Sequence, residues 1–245
     1  MALLNTPGTS ILQSGMLSET NELVHGFSTK LLGNMGRENK HSTQKIADIT
    51  GFPQERIIRF HQIHGNRIVS INNTSTRIIE QCDGAVTASV GILLVITTAD
   101  CAPVLFLDPC TKLVGIAHAG WRGTYKGIIA TMITKMIEMG SKTEDICLVI
   151  GPHIAGCCYI VSAKRAKLFT SMCKDPLTVN KLDGKIHLDL GRAICEQAMK
   201  AGIQSSHIEN TLTCTNCRED QFFSYRREQG KLSGKMIAYI GWKKE

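Results

Sequence analysis

Between Ile92 and Ala119 the chain passes through three apolar stretches separated by short polar turns, and this pattern limits the fold more than any other feature of the sequence. Ile92 to Ile96 is a continuous apolar run of strand length. Pro103 to Leu107 is a second, and Leu113 to Ala117 a third. The connection Asp108-Pro109-Cys110-Thr111-Lys112 has turn chemistry, so the second and third runs form a hairpin. Gly120 ends the third run, and Thr124 to Met139 then shows helical spacing through Ile128, Ile129, Met132, Ile133, Met136 and Ile137, stopped by Gly140. Cys147 to Ile150 is another buried strand, ended by Gly151-Pro152.

The flanking regions are of the same kind. Arg56 to Ile71 reads as a strand broken at Gly65. Ser162 to Met172 and Leu190 to Ala201 read as helices, and Gln221 to Tyr225 and Lys235 to Tyr239 as two final strands. Strands outnumber helices and some neighbours are joined by short turns, which favours an α+β architecture of mixed sheets over a doubly wound parallel sheet. No repeat or linker divides the 245 residues, so one domain over 1–245 is expected, with 1–20 a poorly ordered or peripheral segment.

Composition sets the class. Apolar residues make up 43% of the chain, enough for a sizeable core. Met1 to Thr20 carries no Lys or Arg, and Leu3-Leu4 and Ile11-Leu12 are too short for the apolar part of a secretory signal. No run reaches membrane-spanning length. A cytoplasmic protein without a membrane partner is expected, and ten cysteines fit a reducing compartment. The net charge of +7 suits anionic substrates, but the basic residues are scattered. With aromatics at only 5%, nucleic acid is not an expected partner.

The hairpin also places chemistry. If Leu107 pairs with Leu113, Cys101 falls opposite Ala119 or, with a one-residue shift, His118, and directly paired residues have Cβ atoms ~5 Å apart. A thiolate and an imidazole converging where strands end suit Zn²⁺, which takes three protein ligands at catalytic sites. His61 and His64 are the candidates for the third ligand. Three residues apart on a strand they face opposite sides, so only one can join, and Gly65 favours His64 by permitting close backbone approach. Two other readings stand beside this one: a buried Cys with two hydrogen-bonded histidines, and Cys101 as a nucleophile activated by His118. Asp100 is a candidate acid or base, and equally a turn-capping residue.

Weaker signals count against further sites. Cys214-Thr215-Asn216-Cys217 has metal-knuckle spacing, but no second pair follows at zinc-ribbon distance, and vicinal Cys157-Cys158 are poor joint ligands. A second zinc site is therefore not expected. Gly33-Asn34-Met35-Gly36 is neither a dinucleotide fingerprint nor a P-loop.

Several ordered motifs carry a resemblance. Gln62-Ile63-His64-Gly65, Thr98-Ala99-Asp100-Cys101-Ala102-Pro103-Val104 and Ala117-His118-Ala119-Gly120-Trp121-Arg122-Gly123 are followed by Ile150-Gly151-Pro152-His153-Ile154 and Cys157-Cys158-Tyr159. Cys214-Thr215 and Phe222-Phe223-Ser224-Tyr225-Arg226-Arg227 come last. From about His25 to Trp242 the chain resembles the laccase-domain family, also called multicopper polyphenol oxidase-like or YfiH-like, of purine nucleoside phosphorylase type. The resemblance implies a single α/β/β/α sandwich and a zinc ion held by His64, Cys101 and His118. It implies phosphorolysis of adenosine, inosine, guanosine and S-methyl-5′-thioadenosine, and hydrolytic deamination of adenosine, with purine nucleosides and phosphate as the partners. Some members are described as peptidoglycan-editing factors, so an amidase or cysteine hydrolase is the alternative. Monomer and homodimer are both open.

The older name of the family raises a copper oxidase. A blue-copper centre plus a trinuclear cluster needs more histidines than the eight present, none of them in a His-x-His pair. Copper could still enter the His/Cys/His site, because its affinity exceeds that of zinc. For phosphate, Arg122 is the candidate, placed just past His118 at an expected helix start. This chain departs from many members in a shortened loop at Gly33–Gly36, in Lys30 where they have Arg, and in Ile160 where they have Glu. Lys is a point charge in place of a bidentate fork, so these changes bear on substrate range.

Overall fold

The computed structural model describes residues 10–72 and 76–244. Along the chain the strands are β1 (Ile11–Leu12), β2 (Leu23–Ser28), β3 (Ile57–Phe60), β4 (Ile68–Ser70), β5 (Ile78–Ile79), β6 (Gly84–Thr87), β7 (Leu93–Thr98), β8 (Ala102–Asp108), β9 (Leu113–Ala119), β10 (Cys147–Ile150), β11 (Val179–Leu182), β12 (Lys185–Leu188), β13 (Ile208–Asn210) and β14 (Met236–Trp242). The helices are α1 (Gly15–Ser18), α2 (Ser42–Thr50), α3 (Trp121–Tyr125), α4 (Ile128–Glu138), α5 (Ala163–Met172) and α6 (Leu190–Lys200). One sheet runs in the order β1-β2-β14-β7-β3-β5 and the other β13-β10-β8-β9-β6-β4. Both mix parallel and antiparallel pairs, with β11 and β12 a separate ribbon.

The alternation of side chains in each strand explains the layers. Leu94 and Ile96 of the first sheet meet Leu105, Leu107, Ile116 and Val149 of the second in one buried cluster. Their neighbours Leu93 and Val95 face the other way, onto Ile46 of α2. On the far side of the second sheet, Val104 and Phe106 pack on Ile129, Met132 and Ile133 of α4 and on Ile194 of α6. The result is the α/β/β/α sandwich. Because helices cover both outer faces, the central strands are apolar on both sides and read as unbroken apolar runs.

Differences from the sequence reading have local causes. The broken strand over Arg56 to Ile71 is two strands in different sheets, β3 and β4. The helix over Thr124 to Met139 is split into α3 and α4 by Gly127, whose φ of 81° lies in the left-handed region. Gln221 to Tyr225 forms no strand but a turn-rich segment, while Lys235 to Tyr239 corresponds to β14. The hairpin β8–β9 pairs Asp108 with Leu113 and Leu107 with Val114, one residue from the expected register. No helix among the described residues is long and apolar enough to cross a membrane.

Of the expected peripheral segment 1–20, residues 1–9 lie outside the described residues. From Ser10 onward the chain is packed into the fold: β1 pairs with β2, and Leu12 and Leu17 are buried. Ser14 donates its hydroxyl to Glu209 at 2.8 Å, and its N–H donates to Nε2 of His25 at 3.1 Å. Burial lowers the His25 pKa from 6.5 to about 4. Protonation of His25 therefore opposes folding. The stability that the neutral ring contributes is complete above pH 6.5 and is lost as the pH falls to about 4, a loss on the order of 3 kcal/mol. Urea-unfolding free energies measured across this window should decline with acidification, and His25→Gln should flatten that slope. An unchanged slope in the variant would refute the role given to His25.

Candidate metal centre and its cavity

The two sheets are joined by short crossings, and the site forms where the chain changes sheet. His64 lies between β3 of the first sheet and β4 of the second, and Cys101 between β7 and β8. Both crossings need unusual backbone: His64 has φ 58° and Asp100 has φ 87°. His118 stands near the end of β9, next to the crossing at Cys101. The ligand atoms of His64, Cys101 and His118 all lie within 4.8 Å of one another. The two imidazoles meet edge to face, with centroids 4.9 Å apart. A Cβ on Gly120 would lie 2.8 Å from the Cys101 sulfur and 3.3 Å from Cδ2 of His64, so only glycine leaves room for this convergence.

Sequence reasoning missed the group that holds these residues in place. The Asp83 carboxylate is fully buried. Its Oδ1 accepts from the His64 N–H and from Nδ1 of His118, each at 2.9 Å, and Oδ2 accepts from the N–H groups of Gly65 at 2.7 Å and Ile63 at 3.2 Å. Burial alone would raise the Asp83 carboxyl, but the bonds from His118 and Gly65 outweigh it and hold the group below the usual carboxylate range. With Nδ1 of His118 on Asp83, Nε2 is left for the site. Burial likewise opposes ionisation of Cys101, yet the neighbouring imidazoles of His118 and His64 outweigh it and bring its thiol down to about 6.

This donor set fits a metal ion. Two imidazoles and a thiolate match a catalytic zinc site in type and number, and Asp83 supplies the outer carboxylate. His64 is exposed and Cys101 half-buried, so one side stays open for a further ligand. His61 is not part of it. Its ring faces Glu80 at 2.7 Å on the surface. The two histidines are separated by the left-handed turn at His64 and not by strand alternation, because the residues after Phe60 are no longer strand.

The three residues line a cavity of about 830 Å³, a size suited to a small organic substrate. The same cavity is lined by several cationic side chains, Arg122, Arg165 and Arg226 among them. Arg122 and Arg165 stack on the Trp121 ring, 4.6 and 4.1 Å from its centroid. Arg226 sits 5.1 Å above the Tyr159 ring and donates to the Ile160 carbonyl at 2.7 Å. The expected position of Arg122 at a helix start is correct, but α3 spans only Trp121–Tyr125, so charge and stacking define its place more than any helix end. Lys30 is not in this lining. Its ammonium donates to the Glu219 carbonyl. Asp100 reaches the cavity with both oxygens engaged: Thr215 donates its hydroxyl to Oδ1 at 2.6 Å and Arg226 its N–H to Oδ2 at 2.7 Å. Arg165 had no sequence signal, because it looks like one more charge on an amphipathic helix. Tyr159 and Arg226 stood inside quoted motifs without a role.

A family model described as multi-copper polyphenol oxidoreductase laccase matches residues 32–243. The purine nucleoside phosphorylase YlmD of Geobacillus stearothermophilus is 35% identical over 217 residues, covering 84% of this chain and 79% of its own. The purine nucleoside phosphorylase YlmD of Bacillus subtilis is 30% identical over 269 residues, covering 98% of this chain and 96% of its own. The crystal structure of the Geobacillus YlmD matches with a TM-score of 0.89 at 31% identity over 98% of both chains. That of the hypothetical protein YfiH of Bacillus licheniformis matches with a TM-score of 0.87 at 30% identity, over 97% of this chain and 98% of its own.

Asp83→Asn should weaken zinc binding by ~10–100-fold, the usual cost of losing an outer-shell carboxylate. His61→Ala should leave it unchanged. Competition titration against a chromophoric chelator reads both. Wild-type affinity in Asp83→Asn would contradict the role assigned to that carboxylate.

Proposed function

The chain belongs to the multi-copper polyphenol oxidoreductase laccase family, and from that premise we propose that it is a zinc-dependent purine nucleoside enzyme. In this reading it phosphorolyses adenosine, inosine, guanosine and S-methyl-5′-thioadenosine, and deaminates adenosine. The observation that carries it is a single cavity lined both by a His/Cys/His donor set and by the guanidinium groups of Arg122, Arg165 and Arg226. The names of the two YlmD relatives support the substrate class.

Zinc held by His64, Cys101 and His118 would supply Lewis-acid chemistry, the activation of water at neutral pH that deamination requires. The chain's own residues do the rest. Asp83 fixes the imidazole of His118 and the backbone of His64. Trp121 and Tyr159 offer aromatic surface beside the charges. In phosphorolysis a phosphate oxygen bonds to the ribose C1′ while the bond from C1′ to the purine nitrogen breaks, its electron pair leaving with the base. That reaction needs an anion held in line, and Arg122, Arg165 and Arg226 place positive charge for it. Asp100 positions Arg226 and Thr215 in this reading, accepting from the Arg226 N–H and the Thr215 hydroxyl.

The donor set would also accept copper. A trinuclear oxidase centre has no counterpart: His25, His153 and His187 are each engaged elsewhere, and no second histidine cluster exists among the described residues. The Cys101 thiolate beside His118 favours one other reading, a cysteine hydrolase or peptidoglycan-editing amidase.

Zinc-loaded protein incubated with adenosine should yield inosine with or without phosphate, and adenine, hypoxanthine and ribose 1-phosphate only when phosphate is present. Chelation should abolish both reactions. Failure to turn over any nucleoside would overturn the proposal and leave the hydrolase reading. Arg122→Ala and Arg165→Ala should each lower inosine phosphorolysis by ~10–100-fold, the effect of a charged contact of ~1.5–3 kcal/mol, and lower adenosine deamination much less. An equal loss of both reactions would show that these arginines do not act on phosphate.

A further inference from the structure

The fold brings together the cysteines that their sequence positions kept apart. Cys157 and Cys158 follow β10, and Cys214 and Cys217 follow β13. These strands are parallel neighbours in the second sheet, so the two loops leave it side by side. The loops pair briefly at His153 and Cys214, with Thr215 N–H donating to the His153 carbonyl at 3.0 Å. Beyond that pairing all four sulfurs lie within 4.8 Å of one another, every one a free thiol. The expectation of no second site considered pairs along the chain; the missing pair comes from the other loop.

From this geometry we propose a second zinc site, structural in kind, with Cys157, Cys158, Cys214 and Cys217 as its four ligands. A tetrahedron of ~2.3 Å zinc–sulfur bonds has sulfur–sulfur edges of about 3.8 Å. The sulfur of Cys157 is 3.8 Å from that of Cys158 and 3.6 Å from that of Cys217, and Cys158 is 3.3 Å from Cys217. The vicinal pair thus turns both side chains to one point. Cys214 is the buried corner, and the N–H groups of Ala155, Asn216 and Cys217 are directed at its sulfur, which suits a thiolate. Four thiolates around one tetrahedral centre select zinc over harder ions. The ion would fasten the loop carrying Tyr159 to the loop carrying Thr215, and so hold one wall of the cavity.

This inference does not depend on the proposed function. Its test uses the full chain, purified under reducing conditions, dialysed against zinc alone and counted by elemental analysis. Two zinc ions are expected per wild-type chain, with one remaining in Cys157→Ser/Cys217→Ser and one in Cys101→Ser. A count of one that disappears in the double variant and persists in Cys101→Ser upholds the cysteine site and removes the other. A count unchanged by the double substitution overturns the cysteine site. If the double variant does not fold, the count in Cys101→Ser decides: one zinc upholds the cysteine site and none overturns it. Cys157 and Cys217 should react with iodoacetamide at least ~10-fold more slowly in zinc-loaded protein than after chelation, because a coordinated sulfur is not a free thiolate. Equal rates overturn the proposal, as does a disulfide within the cluster of the zinc-loaded, reduced protein.

Discussion

A single buried carboxylate organises the functional end of this sandwich. Asp83 accepts four hydrogen bonds through its side chain, from Ile63, His64, Gly65 and His118, and its backbone carbonyl accepts a fifth, from the His118 N–H at 2.7 Å. A charge sealed from water is costly unless every lone pair is used, and here they are used on the turn that carries one candidate ligand and on the ring of another. The left-handed conformation of His64 persists because three consecutive N–H groups point at the same anion. Asp83 thus links the first sheet's outgoing chain to the second sheet's β9, and the geometry of the metal set follows from it.

The legible part of the fold was the part governed by local rules. The apolar runs of β7, β8, β9 and β10 announced themselves because both faces of these strands are buried, and the helices did because their apolar positions recur at helical spacing. The hairpin alone brought Cys101 near His118, even with its register one residue off. What could not be read was which sheet each strand joins. β7 and β8 are neighbours in sequence but lie in different layers, as do β3 and β4. The site depends on those crossings. Asp83, within Cys82-Asp83-Gly84, looks like an ordinary turn residue, and Arg165 like an ordinary surface charge on α5. Their importance comes from partners far away in sequence, Trp121 for Arg165 and Ile63 to Gly65 and His118 for Asp83. Long-range polar contacts leave no periodic trace in a sequence. The same holds for the four cysteines, which only the parallel pairing of β10 with β13 gathers.

The cavity lining combines two kinds of chemistry. The soft donors come from two sheet-to-sheet crossings and the end of β9, while the cations are long side chains steadied by aromatic rings. Trp121 carries a guanidinium from its own helix and another from α5. Such stacking limits the rotamers of flexible cations and preserves their charge, so less order has to be imposed when an anion arrives. Asp100 extends the same economy to Arg226 by tying its backbone to the crossing that bears Cys101.

The position of β14 has a kinetic meaning. Met236–Trp242 lies between β2 and β7 at the centre of the first sheet. Until these residues are available, β2 and β7 have no common partner, and both present open edges next to strongly apolar faces. Loop closure over more than half the chain must come before their pairing, which places this topology among the slower folders. During that interval the half-built sheet is a template for a neighbouring chain, and whatever escorts the nascent protein has to shield an edge that only its most distant strand can close.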